Sequence, residues 1–262
     1  MDRCFVTAAE LWDELADLDL GDSEASRRHL MARLCELLGA HNAGWVGAVR
    51  AAIDREDPLR GWRIATLSYL HEDAVNEEAV RAMKVRWARR EQDPLNLAAV
   101  AGAGTFRVLT LRRAMPASWF AGDYYRLFYA GRGIFDSLFV WAPVTEDAES
   151  SFIFHRRESA GAFGDAEIEL ATYTLRGLKW MHRSWMLERG LLVASKPLSP
   201  TERRVLGHLL SGEPEKKIAA ELGQSPATSH DHVKSIYRKF GVGNRAGLMS
   251  LWLHRPALAK AQ

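Results

Sequence analysis

LSPTERRVL at residues 198–206 and IAAELGQSPAT at residues 218–228 decide the fold of the last quarter of this chain. Ser199 and Glu202 form the Ser-x-x-Glu pattern of a capping box, so a helix begins at this point. Gly223 is expected to end a second helix, because glycine adopts the left-handed conformation that follows many helices. The pattern predicts four short helices with a tight glycine turn between the second and the third, which is the layout of a helix-turn-helix.

The third and fourth helices have start signals of their own. Ser225 is an N-cap followed by Pro226 at the first helical position, and Asn244 is predicted to cap the fourth helix. Apolar residues at helical spacing give each helix one buried face. The predicted buried residues are Val233, Ile236, Tyr237 and Phe240 on the third helix and Leu248, Leu251 and Trp252 on the fourth.

The outward face of the third helix is polar and basic. His230, Lys234 and Arg238 recur every four residues and therefore form one stripe, with Asp231 beside it. A solvated charged face is the alternative interpretation of such a stripe. Residues 196–262, however, contain 11 Lys and Arg against 5 Asp and Glu, whereas the remainder contains 24 against 28. This segregation of positive charge favours a nucleic-acid partner.

The segment from Leu198 to Leu248 resembles the LuxR-type helix-turn-helix of bacterial transcription factors. The matching positions are Glu202, Leu206, Gly212, Ile218, Ala219, Leu222, Ser225, Thr228, His232, Ile236, Tyr237, Lys239, Val242 and Arg245. The resemblance implies that the third helix contacts DNA bases and that the fourth mediates dimerisation. Three positions depart from the family pattern: Ser229 stands where Val is usual, His230 where Lys is usual, and Pro214 where a Ser cap is frequent, so Glu213 is predicted to serve as that cap.

Seven residues are predicted to contact double-stranded operator DNA. Base contacts are assigned to His230, Asp231 and Lys234, because an acid can accept from cytosine N4 and a lysine can donate to guanine. Phosphate contacts are assigned to the basic side chains of the same region. The complete predicted set is Thr228, His230, Asp231, Lys234, Arg238, Lys239 and Arg245.

The first 190 residues have the pattern of an α+β domain. Helical patterns, strands and a long amphipathic helix from Asp165 to Arg189 predict an antiparallel sheet flanked by helices. The segments 151–156 and 163–167 make this part similar to GAF- or PAS-like sensor domains. The predicted organisation is a sensor and dimerisation domain at 1–190, a linker at 191–197 and the all-α DNA-binding domain at 198–262. Helices are predicted near 7–19, 25–38, 77–90 and 116–128, and strands near 43–49, 62–70, 134–144 and 151–156.

The signal that such a sensor domain receives stays open. The chain lacks the acidic trio of a phosphoreceiver and the Gly-rich loop of an ATP-driven regulator. Trp87, Asp93-Pro94 and Trp119 partly match the acyl-homoserine-lactone receptors, although Glu91 occupies a Tyr position of that pattern. Aromatic residues near a polar anchor are predicted to line a ligand pocket, with a packed core as the alternative. The predicted pocket residues are Trp119, Tyr124, Tyr125, Phe128, Asp136 and Phe139.

The composition narrows the class of protein further. Cys4 and Cys35 match no metal or disulfide framework, and no apolar run reaches membrane-spanning length. Neither a nucleophile–base pair nor a histidine metal site is found, and His155 is interpreted as a structural histidine. We therefore expect a cytoplasmic, homodimeric, one-component transcription regulator that is not an enzyme and uses no cofactor. A small-molecule effector and RNA polymerase are candidate partners, and a regulator that only dimerises, without a ligand, is the alternative.

Overall fold

The structure, a computed structural model, describes residues 3–18, 23–50, 56–71, 93–192 and 198–253. The predicted helix at 77–90, with Trp87, and the position of Glu91 lie outside these residues, as does most of the predicted linker. The chain divides into two compact units, the first formed by Met1–Asp17 and Arg28–Lys179 and the second by Leu18–Arg27 and Trp180–Gln262. The sequence-based domain limits at 190 and 198 stay a prediction.

The first unit is built on a five-stranded antiparallel sheet. The strand order is β2-β1-β5-β4-β3, so the hairpin of β4 and β5 lies at the centre. The predicted α+β class is confirmed. The strands are β1 Asn42–Arg50, β2 Trp62–Tyr69, β3 Arg107–Thr110, β4 Asp136–Thr145 and β5 Ala148–Arg156.

Eleven helices are found among the described residues. Those that precede the predicted linker are α1 Arg3–Ala16, α2 Ser23–Leu38, α3 Pro94–Ala101, α4 Leu111–Ala114, α5 Asp123–Phe128, α6 Asp165–Gly177 and α7 Lys179–Glu188. The remaining four are α8 Pro200–Leu210, α9 Glu215–Glu221, α10 Pro226–Phe240 and α11 Arg245–Leu253. The helical stretch predicted from Pro116 to Phe128 is a 3-10 turn at Ala117–Ala121 followed by α5.

The two faces of the sheet have different neighbours. Alternate residues of a strand point to opposite faces, so residues paired in register share a face. One face carries fully buried side chains: Trp45, Leu138, Val140, Phe152 and Phe154. The other face carries Phe139, Trp141 and Ile153, which pack in one cluster with aromatic and aliphatic residues of the segment 95–134.

The long helix predicted from Asp165 to Arg189 is two helices. α6 ends at Gly177, and the Leu178 N–H bonds to the Leu175 carbonyl with the tighter spacing of a final turn. Trp12 of α1 lies against this end of α6 and donates its indole N–H to the Thr174 carbonyl at 3.0 Å. A Cβ at Gly177 would stand 2.3 Å from the Trp12 ring, so only glycine admits this approach. The end of α6 at Gly177 therefore coincides with its contact with α1. The sequence pattern predicted neither this contact nor the end of the helix.

Within the described part of the chain, no helix has the length and apolarity that a bilayer crossing requires.

Candidate functional site

Helices α8 to α11 pack around one small hydrophobic core. The buried side chains of α10 are Val233, Ile236 and Phe240, as the helical spacing predicts. They contact residues of the other three helices in a single cluster, whose members also include Leu198, Val205, Leu206, Leu209, Ile218 and Leu248. The buried face of α10 is thus held inside, and its opposite face is left outside.

The predicted caps are all present at α8, α10 and α11. The Ser199 hydroxyl accepts from the Glu202 N–H and the Glu202 carboxylate accepts from the Ser199 N–H, which completes the capping box. Ser225 accepts from the Thr228 N–H at 3.1 Å. Asn244 accepts from the Gly247 N–H at 2.8 Å. Local sequence therefore sets where each of these helices begins.

Gly223 forms the tight turn between α9 and α10. Its φ of +62° lies in the left-handed region, where an L side chain is strained. The following Gln224 N–H returns to the Ala219 carbonyl at 2.8 Å, which closes the end of α9. This turn separates α9 from α10, whose first-turn residues are exposed.

The exposed face of α10 carries most of the predicted DNA contacts. Asp231, Lys234 and Arg238 are exposed and form no ion pair with any residue in the described ranges. His230 is also exposed, and its Nδ1 lies 2.8 Å from the Glu215 carboxylate at the start of α9. Thr228 is exposed in the first turn of the helix. The structure thus brings these five side chains onto the exposed surface of one helix.

Lys239 and Arg245 form intramolecular hydrogen bonds with other helices and loops of the same domain. The Lys239 ammonium lies 2.7 Å from the buried Glu202 carboxylate. The Arg245 guanidinium donates to the backbone carbonyls of Leu209, His208 and Glu213, at the end of α8 and in the loop after it. The sequence pattern assigned both to phosphate contacts; as placed, both hold helices together.

Glu202 joins α8 to α10 through a charged network. Its carboxylate accepts from the Ser199 N–H, the Ser235 hydroxyl and the Lys239 ammonium. Burial by itself would raise the pKa of Glu202, but the Lys239 ammonium and the hydrogen bonds from Ser199 and Ser235 outweigh it and lower that pKa to about 2. The carboxylate is therefore ionised at neutral pH and holds the C-terminal half of α10 against the start of α8.

Glu213 does not cap α9, contrary to the sequence-based prediction. Pro214 occupies the N-cap position, and no side chain makes a cap hydrogen bond there. The Glu213 carboxylate instead contacts His208 at 2.8 Å and Lys217 at 3.0 Å. Because Lys217 and, to a smaller extent, His208 donate to it, the pKa of Glu213 is lowered.

A group of side chains with metal-ligand chemistry surrounds Glu213. Ligand atoms of His208, Glu213 and Glu221 lie within 4.8 Å of one another. The Lys217 ammonium contacts both carboxylates, at 3.0 and 3.4 Å, and supplies the positive charge that they need. An ion-pair network therefore accounts for the group, and the expectation that the chain binds no metal stays a prediction.

Ser229 is the family departure with the clearest structural consequence. The residue is fully buried, and its hydroxyl has no hydrogen-bond partner among the described residues. A buried hydroxyl without a partner costs free energy, because it loses water and gains nothing. Ser229 therefore weakens the packing of α10.

We expect Ser229→Ala to raise the free energy of unfolding of this unit by about 1 kcal/mol, because it removes the unpaired hydroxyl and favours helix. Amide hydrogen exchange of α10 in the full chain measures the change. Ser235→Ala is the matched control on the same helix, since the Ser235 hydroxyl donates to Glu202 at 2.8 Å. The control should lower protection, and a loss of protection in Ser229→Ala as well would contradict this account.

Five of the six predicted pocket residues lie in one aromatic cluster of the first unit. Trp119 has its ring centre 5.1 to 6.0 Å from those of four neighbours. Tyr125 and Phe139 are buried, whereas the other three members are half-buried. Much of the cluster is packed core, the alternative that the sequence left open. The five are Trp119, Tyr124, Tyr125, Phe128 and Phe139.

Asp136 does not join this cluster. It alternates with Ser137 and Phe139 along β4, so it belongs to the other face of the sheet. Its fully buried carboxylate accepts from the backbone N–H groups of Arg112, Ser137 and Phe163 at 2.8 to 3.1 Å. Asp136 thus links three chain segments through structural hydrogen bonds.

His155, which the sequence analysis interpreted as a structural histidine, shares the face of the aromatic cluster, a position that the sequence did not predict. His155 is 3% exposed; its Nδ1 lies 2.8 Å from the Ser137 hydroxyl, and its Nε2 has no partner in the described ranges. Burial, with Arg132 and His41 nearby, lowers the pKa of His155 to about 3, so the ring is neutral at pH 7. The only sequence signal was a histidine on an otherwise apolar strand.

Comparison with known proteins identifies the C-terminal part of the chain. Residues 196–252 match the model of bacterial regulatory proteins of the luxR family. The C-terminal part of the chain is therefore a LuxR-type DNA-binding domain. The transcriptional regulatory protein MctR of Rhizobium johnstonii is 38% identical over 66 residues, which is 25% of this chain and 31% of MctR. The chain thus matches about a third of the length of that curated relative.

Solved structures resemble the chain more remotely. The ligand-binding domain of VqsR from Pseudomonas aeruginosa, at 11% identity and a TM-score of 0.45, covers 69% of this chain and 94% of its own. SdiA in complex with octanoyl-rac-glycerol, at 14% identity and a TM-score of 0.49, covers 96% and 95%. Escherichia coli SdiA in the space group P6522, at 12% identity and a TM-score of 0.47, covers 94% and 95%. The GAF- or PAS-like character of the first unit stays a prediction.

Proposed function

We propose that the chain is a homodimeric one-component transcription regulator that binds operator DNA through α10 and is controlled by its N-terminal unit. The observation that carries this proposal is the exposed face of α10, where Lys234 and Arg238 make no ion pair with a described residue and stand on the recognition helix of a LuxR-type domain. Exposed cations on such a helix are available to DNA, because no internal partner must be given up.

The proposed contacts divide by chemistry. Asp231 lies in the N-terminal half of α10, the part of a recognition helix that contacts base edges in the major groove, and Lys234 follows three residues later on the exposed face. Asp231 would accept from cytosine N4 and Lys234 would donate to guanine. Arg238, one turn further, would contact phosphate, which positions the helix without reading sequence. His230 is the remaining candidate donor, shared with Glu215.

Selection of bound duplexes from a random DNA pool by the full chain tests the proposed function. A dimer should enrich an inverted repeat whose half-sites lie about one helical turn apart, near 10 base pairs centre to centre. The enriched site should lose its base preference with Asp231→Ala at one position of each half-site. Recovery of no common site, with affinity that is equal for all duplexes, would overturn a sequence-specific regulator.

The signal for the first unit is proposed to be a small molecule that contacts the sheet face shared by the aromatic cluster and His155. A neutral imidazole with an unpartnered Nε2 offers one hydrogen bond to a ligand of low charge. The half-buried Trp119, Tyr124 and Phe128 would supply apolar contact. Acyl-homoserine lactones are the specific alternative, and Asp93 and Trp119 of that pattern do meet, through a 3.2 Å hydrogen bond. A thermal shift of the full chain with such lactones separates this alternative from a regulator that only dimerises.

A further inference from the structure

Polar and charged side chains are spaced symmetrically along the exposed face of α6. Glu169, Tyr173 and Arg176 are exposed and Thr172 is half-exposed, so these four form one stripe along the helix. The positions 169 and 176 are equally far from the midpoint between 172 and 173. A second copy of the helix, turned antiparallel about that midpoint, would therefore place each Glu169 opposite the partner's Arg176.

The charges of this stripe are not neutralised by ion pairs within the described residues. Neither Glu169 nor Arg176 makes a salt bridge there, although Asp165 of the same helix pairs with Arg113. The Arg176 guanidinium has an aromatic neighbour, with its carbon 5.5 Å from the centre of the Phe106 ring, and is still exposed. Both charges are thus available to another molecule.

An open groove accompanies the stripe. It has a volume of about 520 Å³ and runs beside Trp12 of α1 and Gly177 at the end of α6. Tyr173, with 44% of its surface exposed, is among the most exposed large hydrophobic side chains of the described residues. Aromatic anchors next to grooves are typical of protein interfaces. The spacing of Glu169 and Arg176 along the helix then favours a second, antiparallel copy of α6 as the partner.

We propose that α6 is the dimer contact of the first unit, with two copies of the helix packed antiparallel about a two-fold axis between Thr172 and Tyr173. This inference rests on the homodimer of the proposed function and locates its interface. A two-fold contact requires a self-complementary surface, and the Glu169–Arg176 spacing supplies two identical ion pairs that flank the tyrosines. A parallel arrangement would instead oppose Glu169 to the partner's Glu169, which is repulsive.

The expected interface is small. Stable interfaces bury about 1,200 Å² or more in total, and a helix pair of three turns buries less. Association through α6 should therefore be weak, in the micromolar range, until two half-sites on DNA hold both copies together. Electrostatic complementarity at such a contact determines orientation and partner choice more than strength.

Charge exchange tests the proposal in the full chain. Glu169→Arg and Arg176→Glu each replace two attractions by two repulsions, so each single variant should raise the dimer dissociation constant at least tenfold in sedimentation equilibrium. The double variant restores opposite charges and should return to within about threefold of the original. Glu158→Arg, an exposed acid outside the stripe, makes the same charge change and should leave the constant unchanged.

The dimerisation measurements test the α6 interface, and a separate DNA-binding measurement tests the proposed function. A double variant that stays as weak as the single variants, single variants that dimerise normally, or an original chain that stays monomeric to 100 µM would each overturn the α6 contact. Binding to a single half-site reports on α10 alone and should be equal in all variants. Its absence in the original chain would count against the regulator itself, whatever the dimer constant.

Discussion

Replacing Lys234 and Arg238 together by alanine is expected to weaken operator binding about a hundredfold, because each lost contact to base or phosphate costs about 1.4 kcal/mol. Both side chains are exposed, so folding should be unaffected. The slope of log affinity against log salt should also become shallower by about 0.9 for each phosphate contact removed. Fluorescence anisotropy with the selected operator, at several salt concentrations, measures both quantities.

Three other variants sharpen this test. Asp231→Ala, on the same face, should bind non-specific DNA equally well or more tightly, because an acid near phosphate is removed. Lys239→Ala and Arg245→Ala should leave the salt slope nearly unchanged and lower stability instead, since their charged groups bind Glu202 and backbone carbonyls. If these two flatten the slope while the Lys234 and Arg238 pair does not, the assignment of contacts is wrong.

Glu202→Gln is expected to lower the free energy of unfolding of the helix-turn-helix unit by about 3 kcal/mol, because it leaves the Lys239 ammonium without its buried counter-charge. The amide retains the shape of the side chain and part of the cap. The effect therefore isolates the charge. Urea unfolding of the full chain, with hydrogen exchange of α8 and α10 to identify the unit, measures the loss.

The difference in stability between the original chain and Glu202→Gln depends on pH. The folded-state pKa of Glu202 is about 2, below that of the unfolded chain, near 4.3. Its contribution to stability is therefore complete above about pH 4.5 and is lost as the pH falls toward 2. The original chain and Glu202→Gln should differ at pH 7 and converge near pH 2. Glu215→Gln, which makes the same substitution at a half-exposed acid of α9, is the control. An equal loss of stability there would contradict the assignment of the effect to the buried Glu202–Lys239 pair.

The helix-turn-helix could be predicted because its signals are local. Ser199 with Glu202, Ser225 with Thr228, and the left-handed Gly223 act within three or four residues, so the chain needs no distant partner to start or stop these helices. The alternation of β4 and β5 is equally local. β3 escaped prediction because a four-residue strand contains too few alternations to be distinguished from a turn.

Only the tertiary structure decided which charged side chains form contacts within the protein. Glu202 and Lys239 stand 37 residues apart, and Arg245 reaches carbonyls 32 to 37 residues away, so no local pattern could show that these cations are engaged. Trp12 reaches α6 across 162 residues at the point where one predicted helix becomes two. Sequence spacing determined which residues can share a face of α10, while long-range packing determined which of its charges remain available, because ion pairs and close ring contacts form only between surfaces that the whole fold brings together.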